Sequence, residues 1–296
     1  MAKVINCGSL NIDHVYRVPY IVRPGETISS TRYDIHCGGK GANQSIALAR
    51  AGAEVKHLGQ IGKDGTLLKD KLGESGVDTE FIFTGDSPSG HAIIQVADDG
   101  ENSIVLFPGA NRKISGEQLN AAFICANSGD ILLLQNETNV NETAIDKAFE
   151  RGMTICLNPA PFDESIADLP LDKVNILIVN ETEGQCLSGF RKQDDVIHEL
   201  SMRWPRMAIV MTLGGKGALY AADGKLVQCA GIKVDAVDTT AAGDTFIGYF
   251  LAGKISGLTP DESMRLACAA ASICVTRQGA MDSIPLLCDC AELTRK

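Results

Sequence analysis

The 296-residue sequence predicts an α/β fold: a doubly wound, mostly parallel central sheet flanked by helices, with a small β-sheet lid attached. Three observations predict it. Short apolar runs alternate with helix-sized segments from about residue 125, polar residues gather where those runs end, and two β-rich stretches stand apart in the first third.

Met1 to Asn11 opens as a first strand running into a loop. It lacks the charged start, long apolar stretch and small-residue cleavage site of a secretory signal, so a cytoplasmic protein is expected. Asp13 to His36 and Ser89 to Phe107 alternate in the manner of strands, with turns at Arg23-Pro24-Gly25-Glu26 and Asp98-Asp99-Gly100-Glu101. α/β material separates them, including a helical pattern over Ala42 to Ala51, so they are expected to meet as a small projecting sheet. Such a sheet suits a lid over a crevice, an edge extension of the main sheet, or a contact between two copies of the chain. Ile131 to Leu134, Met153 to Leu157, Asn175 to Val179 and Met207 to Met211 are continuous apolar runs, as in parallel strands buried on both faces. Helices are predicted over Glu142 to Arg151, Asp194 to Arg203, Asp244 to Ala252 and Asp261 to Thr276. Residues 1–296 therefore read as one α/β domain, its lid formed by about 13–36 and 89–107, with a solvated tail after Cys290.

Composition narrows the function. The chain is 45% hydrophobic, poor in aromatics and rich in Gly, with 30, which favours tight turns over a bulky aromatic recognition surface. A formal net charge of −10 argues against a general nucleic-acid or membrane-surface role. It leaves room for an anionic ligand held by backbone N–H groups and a metal. No apolar run approaches a membrane span. The 10 cysteines are scattered without a CxxC pair and read as reduced, mostly small buried hydrophobes.

The chemistry gathers at strand ends. Three apolar runs lead into Gln135-Asn136-Glu137, Asn158-Pro159 and Asn180-Glu181-Thr182-Glu183, and the fourth into Thr212-Leu213-Gly214-Gly215. Ligands of open α/β sheets bind outside the carboxyl ends of the strands. One polar strand end is usually a loop start; four together point at one site. In Val237 to Phe246, small residues lead into a helix with Asp244 in its first turn. The N–H groups of Ala242, Gly243 and Asp244 would form an anion hole there, and the carboxylate would accept the proton of an attacking hydroxyl. The plainer alternative is Asp244 as a helix cap. In Cys37 to Gln44, three glycines would let a polyol approach the backbone while Lys40 and Asn43 offer donors. A simple loop entering a helix is the alternative, and the spacing is not that of a P-loop. Asn11 and Asp13 fall on one side of an extended chain and supply the donor and acceptor that adjacent sugar hydroxyls need, unless they only build a turn.

These elements resemble the ribokinase-like (PfkB-type) family of carbohydrate kinases, and their order covers nearly the whole chain. Gly38-Gly39-Lys40-Gly41-Ala42-Asn43 is similar to the family's first signature, Asp238 to Asp244 to its second, and Asn180-Glu181-Thr182-Glu183 to its N-x-x-E element. Pro108-Gly109-Ala110-Asn111 and Asn158-Pro159-Ala160-Pro161 resemble segments of its ribose kinases. The resemblance implies ATP-dependent phosphorylation of a small sugar at a primary hydroxyl, best matched by ribose to ribose 5-phosphate. Asn11, Asp13, Gly39, Lys40, Asn43 and Glu137 would hold the sugar. Asp244 would be the general base, with Ala241, Ala242 and Gly243 around the anion hole. Asn180 and Glu183 would position Mg²⁺ and phosphate, largely through water, and Thr212, Gly214 and Gly217 would line the nucleotide. A monovalent cation, typically K⁺, would sit between Asp238, the Thr240 carbonyl and the loop carrying Cys274, Arg277, Gly279 and Ser283. Family members often dimerise through the lid.

The alternatives are a kinase of another sugar, a sugar acid or a nucleoside, and a non-catalytic sugar-binding regulatory protein. Asp244 favours catalysis, since a pure binder needs no base. A nucleoside would need an aromatic or apolar platform that this chain hardly offers. A dinucleotide-binding oxidoreductase is disfavoured, because no G-x-G-x-x-G follows the first strand. Two departures from the family pattern stand out. Leu67 replaces the final Gly of a G-x-D-x-x-G segment, which bears on a turn or the sugar's surroundings. Cys268 and Met281 fall near the expected adenine pocket.

Overall fold

The computed structural model describes residues 2–291 and Leu293. In chain order the elements are β1 (Val4–Cys7), β2 (Asn11–Val18), β3 (Arg32–Gly38), α1 (Lys40–Arg50), β4 (Val55–Ile61), α2 (Thr66–Glu74), β5 (Ile82–Thr84), β6 (Gly90–Ala97) and β7 (Asn102–Phe107). They continue with α3 (Gly116–Ile124), β8 (Ile131–Gln135), α4 (Asn141–Glu150), β9 (Thr154–Asn158), β10 (Ile176–Asn180), α5 (Glu181–Ser188) and α6 (Gln193–Arg203). β11 (Ala208–Thr212), β12 (Gly217–Ala222), β13 (Lys225–Ala230), α7 (Ala242–Ile255) and α8 (Pro260–Cys274) complete the set.

Among the described residues a nine-stranded sheet runs in the order β13-β12-β11-β10-β9-β8-β1-β4-β5, parallel except at β12 and β13. Period-two alternation divides its side chains between two cores. Val4, Leu133, Ile178 and Val210 pack on one face with α1, α2, α7 and α8. Ile5, Leu132, Leu134, Val179 and Met211 pack on the other with α3, α4 and α6. Both faces are covered, which is why these strands read as continuous apolar runs.

The second sheet, β3-β2-β6-β7, comes from the two β-rich stretches of the first third. Two of its strands connect to the main layer beside the carboxyl end of β1: β1 passes through Gly8-Ser9-Leu10 into β2, and β3 returns through Gly39 into α1. The start of α1 is thereby fixed beside the carboxyl end of β1. Gly39 needs to be glycine, with φ +98° and the Ser9 carbonyl oxygen 2.8 Å from where a Cβ would stand.

Helix α7 is buried over nearly its whole length, and Gly248 lets it lie directly on α1, since a Cβ there would meet that of Ala47 at 2.4 Å. This contact brings the first turns of α1 and α7 together. α8 starts at Pro260, one residue before the expected Asp261, behind a Thr259–Glu262 capping box. Its predicted end, Thr276, is two residues late. The Val275 carbonyl is taken by the N–H groups of Val237 (2.8 Å) and Asp238 (3.1 Å), which ties the end of α8 to the loop before α7.

Candidate active site

Asp244 lies in the first turn of α7, but it does not cap the helix. Ala241 occupies the cap position with a left-handed φ of 61° and no side-chain bond, while the Asp244 carboxylate reaches across to α1. Its Oδ2 accepts from Asn43 Nδ2 and its Oδ1 from Gln44 Nε2, both at 2.9 Å. One donated N–H group holds each oxygen in a set direction, and the other lone pairs remain able to accept a proton. The expected anion hole is narrower than three N–H groups. Ala242 N–H leans on the Thr239 carbonyl at 3.3 Å, so the donors without a partner among the described residues are those of Gly243 and Asp244. Nothing lies within 4 Å of a Cβ position at Gly243, and Gly243 and Asp244 both line a cavity.

Two cavities meet there. One, of about 820 Å³, is lined by Thr212, Gly214, Gly217, Ile232, Phe246 and Cys268 among others. A smaller one, of about 180 Å³, is lined by Lys40, Asn158, Asn180, Glu183, Asp244 and others. Thr212 and Gly243 line both, so the open end of α7 stands where the larger space runs into the smaller. Segment 231–236 also lines the larger cavity, and sequence reasoning missed it because it forms no regular element.

The charges converge on Lys40. Burial opposes its ammonium, but Asp244, Glu137, Glu183 and Asp13 outweigh that and raise its pKa above the ordinary value. Burial, aided by the charge of Glu137 and resisted by Lys40, pushes the Asp13 carboxyl up from 3.8 to about 7. Burial also raises Glu137 and Glu183, although Lys40 resists both. Ser9 Oγ donates to Glu137 Oε2. Glu183 closes a capping box with Asn180: it donates its N–H to Asn180 Oδ1 (2.8 Å), and its Oε2 accepts from Asn180 N–H (3.0 Å).

The glycines of the first signature act differently from expectation. The Cβ directions of Gly38 and Gly41 are filled by protein, the Asp13 carboxylate oxygen at 2.1 Å and the Gly8 Cα at 2.5 Å. They seat Asp13 and dock α1 against β1, so they do not leave room for a ligand. Asn43 likewise commits its amino group to Asp244. Asn11 is held by an unforeseen partner, Asn111, whose Nδ2 donates to Asn11 Oδ1 at 2.8 Å. Leu67 sits partly exposed in the first turn of α2, and the Gly62–Gly65 turn closes normally with a 3.0 Å hydrogen bond. Cys268 does line the larger cavity, whereas Met281 is buried in the core and its carbonyl accepts from Arg50 at 2.9 Å.

Asp238 bridges the two loops expected to hold a monovalent cation. Its Oδ1 accepts from Thr240 N–H (2.9 Å) and Oγ1 (2.6 Å), and its Oδ2 from Gly279 N–H (3.0 Å). Burial works against its charge, but these bonds hold its carboxyl below the usual range. Cys274 Sγ lies 3.1 Å from Ser283 Oγ, and burial keeps the thiol protonated. The Arg277 guanidinium pairs with Asp289 at 3.0 Å. Of these two residues, therefore, only backbone carbonyls are suited to a hard cation.

A carboxylate beside unpartnered N–H donors, a lysine among carboxylates and two joined cavities fit a phosphoryl-transfer site of the sugar-kinase class. The chain belongs to the pfkB family of carbohydrate kinases, whose description it matches over residues 1–287. It is 40% identical to a ribokinase of Haemophilus influenzae, with 94% of each chain covered, and 34% identical to a ribokinase of Staphylococcus aureus, with 96% and 97% covered. Its fold matches that of Arabidopsis thaliana ribokinase complexed with ribose and ATP at a TM-score of 0.91, 31% identity and 100% coverage of both chains. Ribokinase of Cryptococcus neoformans in complex with ADP matches at 0.88 and 36% identity, with 99% of each covered.

Proposed function

We propose that this carbohydrate kinase moves the γ-phosphoryl group of ATP to the primary hydroxyl of ribose, giving ribose 5-phosphate and ADP. The carrying observation is the Asp244 carboxylate, oriented by Asn43 and Gln44 beside the unpartnered N–H groups of α7. Ribose would lie between Asn11, Asp13, Lys40 and Glu137, and ATP would fill the larger cavity past Thr212, Gly214 and Gly217. The hydroxyl proton passes to Asp244, the oxygen attacks the γ-phosphorus in line, and ADP leaves. Gly243 N–H and Lys40 face the charge on the transferring group. Mg²⁺, when bound, neutralises phosphate charge; the buried Glu183 carboxylate beside Asn180 suits a cation held largely through water. The Asp238 carboxylate, the Thr240 carbonyl and the 274–283 backbone suit K⁺. The second sheet reads as a lid over one domain. Its exposed Tyr33, Ile35, Ile93, Val105 and Phe107 suit a homodimer contact, and the cytoplasm is the expected compartment.

The test is ADP release from ATP and Mg²⁺ across sugars, sugar acids and nucleosides, with and without K⁺. Turnover should be highest on ribose and be stimulated by K⁺. Preference for another polyol would move the substrate. Absence of turnover on all of them would favour the regulatory-protein reading.

Asp13 gives this function a pH dependence. Its folded pKa of about 7 lies above the ordinary 3.8, so its contribution to stability is fully present below 3.8 and lost as pH rises through about 7. Sugar hydroxyls donate to the ionised form, so sugar binding releases a proton. The KM for ribose should fall as pH rises through about 7, and Asp13→Asn should raise KM and flatten that dependence. A slope unchanged in the variant would remove Asp13 from the sugar site.

A further inference from the structure

Behind Asp244 a file of buried amides crosses the sheet, and its direction is fixed by groups that can act in only one way. Backbone carbonyls only accept. His57 Nε2 lies 3.2 Å from the Gly8 carbonyl oxygen, so Nε2 carries the proton. The imidazole is neutral, since burial pushes its pKa down to about 4. Nδ1 therefore accepts from Ser45 Oγ–H at 2.8 Å. Ser45 Oγ, its proton placed, accepts from Asn6 Nδ2 at 2.8 Å, and the same Nδ2 donates to the Gly41 carbonyl at 2.7 Å. Asn6 thus shows Oδ1 to Gln135, whose Nε2 donates to it at 3.0 Å and to Gln44 Oε1 at 2.7 Å. Gln44 is left with Nε2 for Asp244 Oδ1 at 2.9 Å and for Asn158 Oδ1 at 3.3 Å. Asn158 is set independently, because its Nδ2 donates to the Ile178 carbonyl at 3.0 Å. The O and N ends of an amide are otherwise interchangeable, but three carbonyls and one neutral imidazole remove the choice at each step.

We propose that Gln135 is a positioning residue, the middle of a one-way amide chain that makes Gln44 present its N–H, and never its oxygen, to the general base. The inference rests on the assignment of Asp244 as that base. Gln135 lies at the end of β8, one amide removed from Asp244, and acts through Gln44. An independent mark of the role is what the arrangement tolerates. Gln135 Oε1 is buried and has no hydrogen-bond partner among the described residues. It stands 2.2 Å from where a Cβ at Gly8 would be, so glycine is required to leave it that space. A glutamine kept only for packing would pair both ends. Here one end stays unpaired while Nε2 serves two acceptors. A reversed Gln44 would set Oε1 against Asp244 Oδ1, acceptor against acceptor, and turn the carboxylate away from the substrate hydroxyl.

The experiment compares Gln135→Glu with Gln135→Met in the ADP-release assay, at about pH 9 so that the new carboxyl is ionised. The glutamate offers acceptors only and reverses Gln44; methionine keeps the size but imposes no direction. Expected is a kcat at least about tenfold lower for Q135E than for Q135M, with the KM values for ribose and ATP within about twofold of the parent chain. Equal kcat in the two variants, or unaltered kcat in Q135E, would overturn the proposal. A second readout does not depend on the folding of either variant. In the ¹⁵N-labelled parent chain the Gln44 side-chain amide protons should be protected from solvent exchange and should shift on Asp244→Asn. Fast exchange and no shift would equally overturn it. A parent chain without turnover would count against Asp244 as base, and the amide signals would still decide whether the chain of amides exists.

Discussion

Asp244→Asn should lower kcat by about a hundredfold or more while ribose still binds. An amide at this position can keep the shape, and one of its ends can still accept from Gln44 or Asn43. The other end must then place an N–H against a donor, because Asn43 and Gln44 both offer N–H groups at 2.9 Å. The variant has no basic oxygen for the hydroxyl proton, so the loss belongs in kcat. The proposed sugar contacts at Asn11, Asp13 and Glu137 lie elsewhere, on β2 and two residues past the end of β8, and should persist. Titration calorimetry with ribose, beside steady-state kinetics, separates the two effects. Undiminished turnover would remove Asp244 from the mechanism.

Lys40→Met should cost about 10²–10³ in kcat and, unlike Asp244→Asn, should weaken sugar binding as well. Lys40 is the positive charge that Asp13, Glu137, Glu183 and Asp244 share. It holds the Asp13 and Glu137 carboxyls lower than burial alone would leave them. Without it both hold their protons to higher pH, and Asp13, already at about 7, is more nearly neutral when the sugar arrives. The fall in KM for ribose with pH should therefore move above 7. Folding stability should also decline more steeply as pH rises, since each carboxylate ionises in a site that has lost its counter-charge. Full-range KM–pH profiles and thermal melts check both statements. A profile that stays in place would show that Lys40 does not set the charge of the sugar site.

The parallel core was readable because strands buried on both faces must be apolar throughout. Ile131–Leu134 and Met207–Met211 carry that constraint in their own composition, and their polar ends marked the crevice. Asp244 was readable for the same local reason, as an acid at a helix start among small residues. The roles of the first-signature glycines were not, because a missing side chain does not say whether a ligand or the protein itself fills the gap. In the fold, Asp13 fills it at Gly38 and Gly8 fills it at Gly41. Gln44 stood within the quoted segment without a role. Asn111 lay in another without one, because its partner, Asn11, is 100 residues away.

By itself, the sequence determined the layered fold, the crevice, the candidate base and the membership of a sugar-kinase family, because each depends on periodicity or on residues close together in the chain. The tertiary structure alone decided how the candidate base is held. Asp244 meets Asn43 and Gln44 across 201 and 200 residues, and Gln44 meets Gln135 across 91. A hydrogen bond depends on atoms about 3 Å apart in a set direction, and only the packing of α7 on α1 over the carboxyl ends of β1 and β8 supplies that.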